Sequence, residues 1–336
     1  MKIGLLRESG GIGDIISISG AATALKREYE NCEIVCFVPL DFCDYASHLG
    51  GVDRVVPLLS VSELAKCRRI RDSNPDVRKY KYLEPLLREK CDKIVDLYCP
   101  GFYYEQSTTG REEYTRPQLF AIAAGCKKVL DAGPVWNCRS EEIERARKFL
   151  SLHSLQPGEY IISNLRGTCS NRVYPAGYAH EVLSELVARG EKIVYGDVMR
   201  PHFPPLDSFV FVREPLPVFV ALVAMAKLVL CMDSSLLHIA QAMGVRSVSL
   251  HIMSDGFPYD KWYNTRVVEP EVGGACEVPC HYNHSKGWDQ KKCRPAKCVR
   301  IPYLTPDLVL SAVCEELRKI SSASSRMRDI PTLDCV

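Results

Sequence analysis

The chain lacks any long uninterrupted run of apolar residues, and its charges are nearly balanced. No segment approaches the roughly 18 consecutive apolar residues that a membrane-spanning helix needs. The apolar run at the amino terminus is too short for the core of a secretory signal. The 43 Lys and Arg residues against 41 Asp and Glu give a net charge of +2, which argues against a nucleic-acid coat or an acidic solvating protein. We therefore expect a cytoplasmic protein without a transmembrane segment, able to bind peripherally at the inner face of a membrane.

The composition is that of an ordinary globular protein. The 336 residues are 46% hydrophobic and 25% charged, and at about 150 residues per domain the length corresponds to about two domains. A Pro-Gly turn at residues 157–158 separates two stretches of similar pattern. We therefore predict domains at residues 1–153 and 154–320, followed by a tail at residues 321–336.

In both halves, short apolar segments alternate with segments of helical pattern. Strands separated by helices form βαβ units and a parallel sheet. The predicted strands are residues 2–6, 34–38, 54–57, 93–97, 160–163, 193–195, 209–212, 228–231 and 247–250. The expected fold class is α/β, with two Rossmann-like, doubly wound domains facing each other across a cleft where ligands bind. Dehydrogenases, binding proteins and nucleotide-sugar transferases share this architecture.

A glycine-rich segment, residues 10–13, separates the first predicted strand from the first helix. Glycines here let the backbone approach a ligand, and the amides of a helix amino terminus favour an anion. With Gly11 and Gly13 as the first pair of a dinucleotide-binding fingerprint, its third glycine is missing, because that position is Ile16. A hydride-transfer enzyme is therefore disfavoured. Asp14 has two interpretations, a first-turn carboxylate that the helix dipole favours and a general base facing the cleft.

A second anion-binding pattern follows an apolar strand in the second half. Asp233 and Ser234 would cap the following helix in any protein, but a strand, short turn and helix at this edge of a sheet also binds phosphate. His238 lies one turn into that helix, as a packing residue or as part of a site. Arg166 and Arg172 lie in a polar loop after an earlier strand. Two guanidinium groups there suit an oligophosphate, or they are solvated surface residues.

Several segments, in order along nearly the whole chain, resemble glycosyltransferase family 9, the ADP-heptose:lipopolysaccharide heptosyltransferase type. Residues 11–26, Gly-Ile-Gly-Asp and the helix after it, look like the opening of that family. Residues 171–175 are similar to its Lys/Arg-x-Trp-Pro element, and residues 230–244 to its Asp-Ser/Thr-Gly-x-x-His-x-Ala-x-x-x-Gly signature. Ser254 and Asp255 stand where the family has Thr-Asp.

The resemblance implies a GT-B architecture and an inverting, metal-independent transfer of a sugar from a nucleotide-diphosphate sugar to a hydroxyl acceptor. In the family the amino-terminal domain takes the acceptor and the carboxyl-terminal domain takes the donor. Carried onto this chain, Asp14 is the candidate base, with Gly11 and Gly13 in the acceptor-side loop. No catalytic cofactor is implied, because Arg172 would neutralise the leaving diphosphate.

On the donor side, the resemblance implies that Asp233 binds hydroxyl groups of the sugar and that the backbone amides of residues 234–236 bind a phosphate. The candidate donor-binding residues are Arg166, Thr168, Arg172, Asp233, Ser234, Ser235, Leu236 and His238. An ADP-heptose-like donor is what the family uses.

The chain departs from the family pattern at three places. It has Gly20 and Ala21 where the family has proline and a larger apolar residue, Ser235 in place of a glycine, and Ile252-Met253 in place of Gly-Pro. The last two departures lie beside the expected donor site. The sugar and the nucleotide base therefore stay open, and heptose is not assumed.

Four of the 16 cysteines lie together in a polar segment, residues 276–298. They are Cys276, Cys280, Cys293 and Cys298. Their spacing falls within the loose range of structural zinc or iron sites, with His281 and His284 as alternative ligands. Free thiols and disulfides stay open. Four thiolates leave no vacant coordination position, so a metal held here would be structural.

Two basic stretches bear on the acceptor. Residues 66–90 carry nine Lys and Arg against four Asp and Glu, and residues 286–300 carry six against one. Each is either a solvated face or a contact for an anionic acceptor such as a phosphorylated glycolipid or a nucleic acid. A protein acceptor and an oligomer also stay open.

Two rival functions remain: a non-catalytic GT-B relative acting as a scaffold, and a nucleotide-sugar epimerase or NAD-dependent enzyme.

Overall fold

A computed structural model describes residues 1–64, 84–97, 113–167, 172–196, 203, 209–252, 254, 256–270 and 300–324. Within these ranges the chain forms two parallel β-sheets flanked by helices, one sheet from each half of the sequence. The expected α/β class with two parallel-sheet domains is confirmed.

The first half alternates strands and helices. Its elements are β1 (Lys2–Leu6), α1 (Ile12–Glu28), β2 (Glu33–Val38), α2 (Cys43–Ala46), β3 (Arg54–Pro57), α3 (Glu84–Glu89), β4 (Lys93–Asp96) and α4 (Arg116–Ala124). The strands pair in parallel in the order β3-β2-β1-β4. Because β1 lies inside this sheet and is buried along nearly its whole length, its sequence is a continuous apolar run rather than an alternating one.

The second half forms a six-stranded sheet. Its elements are α5 (Ser140–Leu152), β5 (Tyr160–Asn164), α6 (Ala176–Ala188), β6 (Lys192–Gly196), β7 (Phe209–Val212), α7 (Leu216–Ala224), β8 (Leu228–Met232), α8 (Ser235–Ala242), β9 (Ser247–Leu250), α9 (Phe257–Trp262), β10 (Thr265–Val268) and α10 (Pro306–Ser324). The strand order is β10-β9-β8-β5-β6-β7. The order reverses between β5 and β8, and ligands of such sheets bind at the carboxyl ends of strands beside a reversal.

Helix α1 lies between the two halves. It packs against α4 of its own half and against α8 of the other, and Ile18 of α1 belongs to the same buried core as Leu237 of α8. A Cβ atom on Gly20 would lie 2.5 Å from the Cβ of Pro117 on α4. The departure from the family pattern at Gly20 is therefore a local fit that lets α1 and α4 approach closely.

The structure differs from the sequence-based expectation at the carboxyl-terminal end. Helix α9 and strand β10 were not anticipated, because both are short and β10 carries the exposed Arg266. The tail expected from residue 321 begins later, since α10 continues to Ser324 and the Ser321 hydroxyl donates to the Leu317 carbonyl at 3.0 Å. The domain boundary at residues 153/154 stays a prediction. Of the described helices, none is long and apolar enough to span a bilayer.

Candidate active site

The glycine-rich loop after β1 places Asp14 in the first turn of α1. Gly10 has a φ of +115°, a backbone conformation that favours glycine, and Gly11 is the extended N-cap residue of the helix. The Asp14 Oδ2 accepts a hydrogen bond from the Gly11 N–H at 3.1 Å. The capping interpretation of Asp14 is therefore observed, and it uses one of the two carboxylate oxygens.

Two arginines flank the other oxygen of Asp14. Arg7, directly after β1, is 4% exposed, and its Nη2 lies 3.0 Å from Asp14 Oδ1. Arg7 also donates from Nη1 to the Leu97 carbonyl at 2.5 Å and lies over the Phe120 ring at 5.3 Å. The Nε of Arg116, at the start of α4, lies 3.9 Å from the same Asp14 oxygen. The carboxylate is thus held in one orientation while its side chain keeps 26% exposure.

In the second half, Asp233 follows β8 and is buried. Its Oδ2 accepts a hydrogen bond from the Ser254 hydroxyl at 2.5 Å and lies 3.4 Å from Nη2 of Arg172. Burial by itself would raise the pKa of this carboxyl, but the charge of Arg172 and the hydrogen bond from Ser254 hold that pKa well below its usual range. Asp233 is therefore an anion beside a guanidinium group.

The amino terminus of α8 lies next to Asp233. Ser234 is its N-cap residue, with extended backbone and no hydrogen bond from its own side chain to the helix. Ser235 and Leu236 begin the helix, and the amides of a first helical turn have no acceptor within the helix. The predicted phosphate-binding amides therefore adjoin the Arg172–Asp233 pair.

The two described segments that carry the candidate arginines, residues 164–167 and 172–175, lie close together. Arg166 forms an antiparallel bridge with Val173, and the Gly167 N–H donates to the Arg172 carbonyl at 2.6 Å. A Cβ on Gly167 would lie 2.6 Å from the Cβ of Arg172, so glycine lets the two chains meet. The structure thus brings Arg166 and Arg172 together. Thr168 lies outside the described residues.

His238 joins the two halves of the site. Its Nδ1 lies 3.0 Å from the Tyr263 hydroxyl, and a Cβ on Gly13 would lie 2.9 Å from its Cδ2. Burial lowers the pKa of His238 to about 4, although the negative charges of Asp233 and Asp14 act to raise it. The ring is therefore neutral near pH 7 and lies against the loop that carries Asp14.

Further contacts between the halves surround this histidine. Trp262 Nε1, on α9, donates to the Glu113 carbonyl of the first half at 3.1 Å, and a Cβ on Gly13 would lie 3.4 Å from the Cα of Ser235 at the start of α8. Together with the Gly13–His238 contact, they place the loop around Asp14 beside the amino terminus of α8. Arg7 and Tyr263 were missed by the sequence analysis; only the place of Arg7 at a strand end could have indicated it.

His238 is expected to make stability depend on pH. The pKa of its imidazole is about 4 in the folded protein against 6.5 for a free histidine, so the unfolded chain binds the extra proton first as the pH falls. We expect about 3 kcal/mol of stability that is fully present above about pH 6.5 and lost progressively down to about pH 4. Denaturant unfolding at about pH 7.5 and about pH 4.5 measures this loss, which should be smaller in His238→Gln. Equal losses in both proteins would contradict the shifted pKa.

The predicted metal ligands cannot be placed. Cys276, Cys280, Cys293 and Cys298, with the alternatives His281 and His284, lie outside the described residues, as do most of both basic stretches. Among the residues that are described, no group of three or more His, Cys, Asp or Glu side chains could hold a metal ion.

The two parallel sheets give this chain the GT-B fold, the fold class expected from the sequence. The glycosyl transferase family 9 protein of Veillonella parvula has the same fold, with a TM-score of 0.67 and 15% identity over 95% of this chain and 97% of that one. A sequence profile of glycosyltransferase family 9 (heptosyltransferase) matches residues 210–264, which contain Asp233 and His238. The resemblance to this family is thereby confirmed.

Two further solved structures share the fold. The Escherichia coli heptosyltransferase WaaC with ADP-2-deoxy-2-fluoro heptose has a TM-score of 0.58 and 17% identity over 94% of this chain and 99% of that one. The iron-containing, dodecameric heptosyltransferase TibC of enterotoxigenic E. coli, in complex with ADP-D-β-D-heptose, has a TM-score of 0.59 and 14% identity over 95% and 76%. A search of curated proteins found no sequence that matches.

Proposed function

We propose that this chain transfers a sugar from a nucleotide-diphosphate sugar to a hydroxyl group, with inversion at the anomeric carbon and without a catalytic metal. The observation that carries the proposal is the close approach of the two halves where Gly13, next to Asp14, lies against His238 and Ser235 at the start of α8. Asp14 with its arginines comes from the first half, and Asp233 with Arg172 comes from the second. A proton acceptor and a cationic anion-binding group thus adjoin one another.

In the proposed reaction Asp14 accepts the proton of the acceptor hydroxyl. The oxygen of that hydroxyl forms a bond to the anomeric carbon from one face while the bond to the diphosphate breaks on the other. Arg7 and Arg116 keep the Asp14 carboxylate in one orientation, which reduces the entropy lost in reaching the transition state. The general base and the residues proposed to hold the donor therefore come from different halves of the chain.

The leaving diphosphate gains negative charge as its bond to the sugar breaks. Arg172 and Arg166 and the first-turn amides of α8 supply the donors that stabilise this charge. Asp233, beside them, accepts a hydrogen bond from a sugar hydroxyl. WaaC and TibC have been solved with ADP-linked heptoses, so ADP-heptose is the first donor to try, although Ser235 departs from the family pattern at this site.

A panel of nucleotides tests the proposed donor class. Thermal unfolding is followed with ADP, UDP, GDP, CMP, TDP and NAD, and a ligand at about 100 times its Kd stabilises the fold by about 2.7 kcal/mol. Selective stabilisation by one nucleoside diphosphate is the expected result. Stabilisation by NAD alone would favour a dehydrogenase, and no stabilisation at all would favour a non-catalytic scaffold. An epimerase would convert a nucleotide sugar without releasing nucleotide.

We also propose a structural zinc or iron ion at Cys276, Cys280, Cys293 and Cys298. Support comes from the spacing of the thiols and from the fact that TibC is iron-containing. Elemental analysis of untreated protein should find about one metal ion per chain, and Cys280→Ser with Cys293→Ser should remove it. Cys314→Ser, on α10, is the matched control. Metal-free wild-type protein would refute the site.

The acceptor, whether glycolipid, protein or nucleic acid, stays a prediction.

A further inference from the structure

A chain of polar side chains runs from Asp233 into the interior of the second half. The Ser254 hydroxyl donates to Asp233 Oδ2 at 2.5 Å, and His251 Nδ1 lies 3.0 Å from the Ser254 Oγ. On the other side of the ring, His251 Nε2 lies 3.1 Å from the Ser249 Oγ, to which Thr265 Oγ1 comes within 3.4 Å. His251 and Ser249 have no exposed surface, and Ser254 is 4% exposed.

The donor and acceptor roles along this chain follow from Asp233. An ionised carboxylate only accepts hydrogen bonds, so the single proton of the Ser254 hydroxyl points towards it. The Ser254 oxygen then accepts from His251, which requires the proton of the ring on Nδ1. The unprotonated Nε2 in turn accepts from Ser249. A neutral His251 with its proton on Nδ1 therefore satisfies every member of the chain.

The position of the imidazole is itself fixed. His251 follows β9 directly, its backbone N–H donates to the Val268 carbonyl at 3.0 Å, and its ring packs on that of Tyr259 with centroids 5.5 Å apart. A buried donor held in this way cannot turn to another partner without losing its hydrogen bond. His251 thus sets where the Ser254 hydroxyl lies.

Because of these polar contacts, the two carboxylate oxygens of Asp233 have different roles. Ser254 and Arg172 both contact Oδ2, which leaves Oδ1 for a ligand. A carboxylate locked through one oxygen presents the other in a fixed direction, which is what discrimination between hydroxyl positions on a sugar requires.

We infer that His251 is a positioning residue for the sugar of the donor: through Ser254 it locks Oδ2 of Asp233, so that Oδ1 receives a hydroxyl of the transferred sugar. The inference rests on the proposed function. His251 itself touches neither donor nor acceptor. It affects the binding of the sugar, whereas Arg172 and the amides of α8 bind the diphosphate.

The test compares a donor with and without its sugar. Calorimetry gives Kd for ADP-D-β-D-heptose and for ADP with wild-type protein, His251→Phe and Ser254→Ala. We expect both variants to raise Kd for the nucleotide sugar about tenfold, the usual weight of a hydrogen bond to a charged group, and to leave Kd for ADP within about twofold. Ser254→Thr keeps the hydroxyl and His251→Asn restores an N–H near the position of Nδ1, so both should recover part of the loss.

A combined substitution separates positioning from general damage to the fold. In an Asp233→Asn background, His251→Phe should change the affinity for the nucleotide sugar little further, because the two residues act through the same contact. Equal weakening for ADP and the nucleotide sugar, or no weakening for either, would overturn the inference and leave the proposed function intact. Wild-type protein that binds neither ligand would reject the proposed donor, and the inference with it.

The tautomer of His251 gives a readout that needs no ligand. The ¹⁵N signals of its ring, assigned by their absence in His251→Phe, should show a protonated Nδ1 and an unprotonated Nε2 near pH 7. A ring protonated on Nε2 instead would overturn the inference whatever the calorimetry shows.

Discussion

Replacing Asp14 by asparagine is expected to lower turnover at least about 10²-fold, the usual contribution of a general base, while leaving the affinity for the nucleoside diphosphate nearly unchanged. Asparagine has the shape of aspartate and an oxygen that can still accept the Gly11 N–H, but it does not take a proton. Steady-state kinetics with the donor selected by the nucleotide panel, together with calorimetry, measure the two quantities. Wild-type turnover in Asp14→Asn would remove Asp14 from the mechanism.

The structure makes a second explanation for such a loss testable, because Asp14 also caps α1 and pairs with the buried Arg7. Asparagine can still accept the Gly11 N–H, but it takes the negative charge away from the buried Arg7 guanidinium, and removing one partner of such a pair costs stability. The thermal midpoint of the variant should therefore fall while the protein stays folded at the assay temperature. Asp44→Asn is the matched control, because Asp44 is 65% exposed and its ion pair with Arg139 spans 3.9 Å. It should change neither turnover nor stability measurably.

Much of the fold could be predicted from apolar runs of strand length. Strands β1, β3, β7 and β9 were predicted with the bounds they have, since buried parallel strands are short, apolar and bounded by turns. Strand β10 was not, because only the two end residues of its four are buried and it lies at the edge of the sheet. These residues form a strand because they pair with β9, and such pairing cannot be predicted from the local sequence.

The site was predictable where backbone topology alone places a residue. Asp14 and Asp233 follow apolar strands of parallel sheets, and the carboxyl ends of such strands bind ligands. The partners that give them their properties were not predictable: Arg7 pairs with Asp14 from the end of the preceding strand, and His251 acts on Asp233 through Ser254. Such contacts depend on side-chain packing rather than on spacing. The need for glycine at position 13 is likewise visible only in the structure, where His238 lies against it.

Replacing Arg172 by alanine is expected to weaken binding of the nucleoside diphosphate by about 1.5–3 kcal/mol, or roughly 10- to 150-fold in Kd, the range of a charge-assisted hydrogen bond. Calorimetry with ADP measures the change. Arg172→Lys should recover only part of the loss, because an ammonium group keeps the charge but not the two parallel N–H donors of a guanidinium. Arg189→Ala is the control, since Arg189 is 50% exposed on the α6 C-cap and pairs with Glu185 within one turn.

Arg172 also lies 3.4 Å from Asp233, so its removal leaves a buried carboxylate without its nearest cation and acts on binding by two routes. The Asp233→Asn background separates them. If Arg172 binds the diphosphate directly, Arg172→Ala weakens ADP binding by a similar factor with Asp or Asn at position 233. If Arg172 acts only by compensating Asp233, the loss disappears in the Asn background, because no uncompensated charge then repels the phosphate. Unchanged ADP binding in the single variant would make Arg172 a partner of Asp233 alone, and the proposed charge stabilisation of the leaving group would then have to come from Arg166 and the amides of α8.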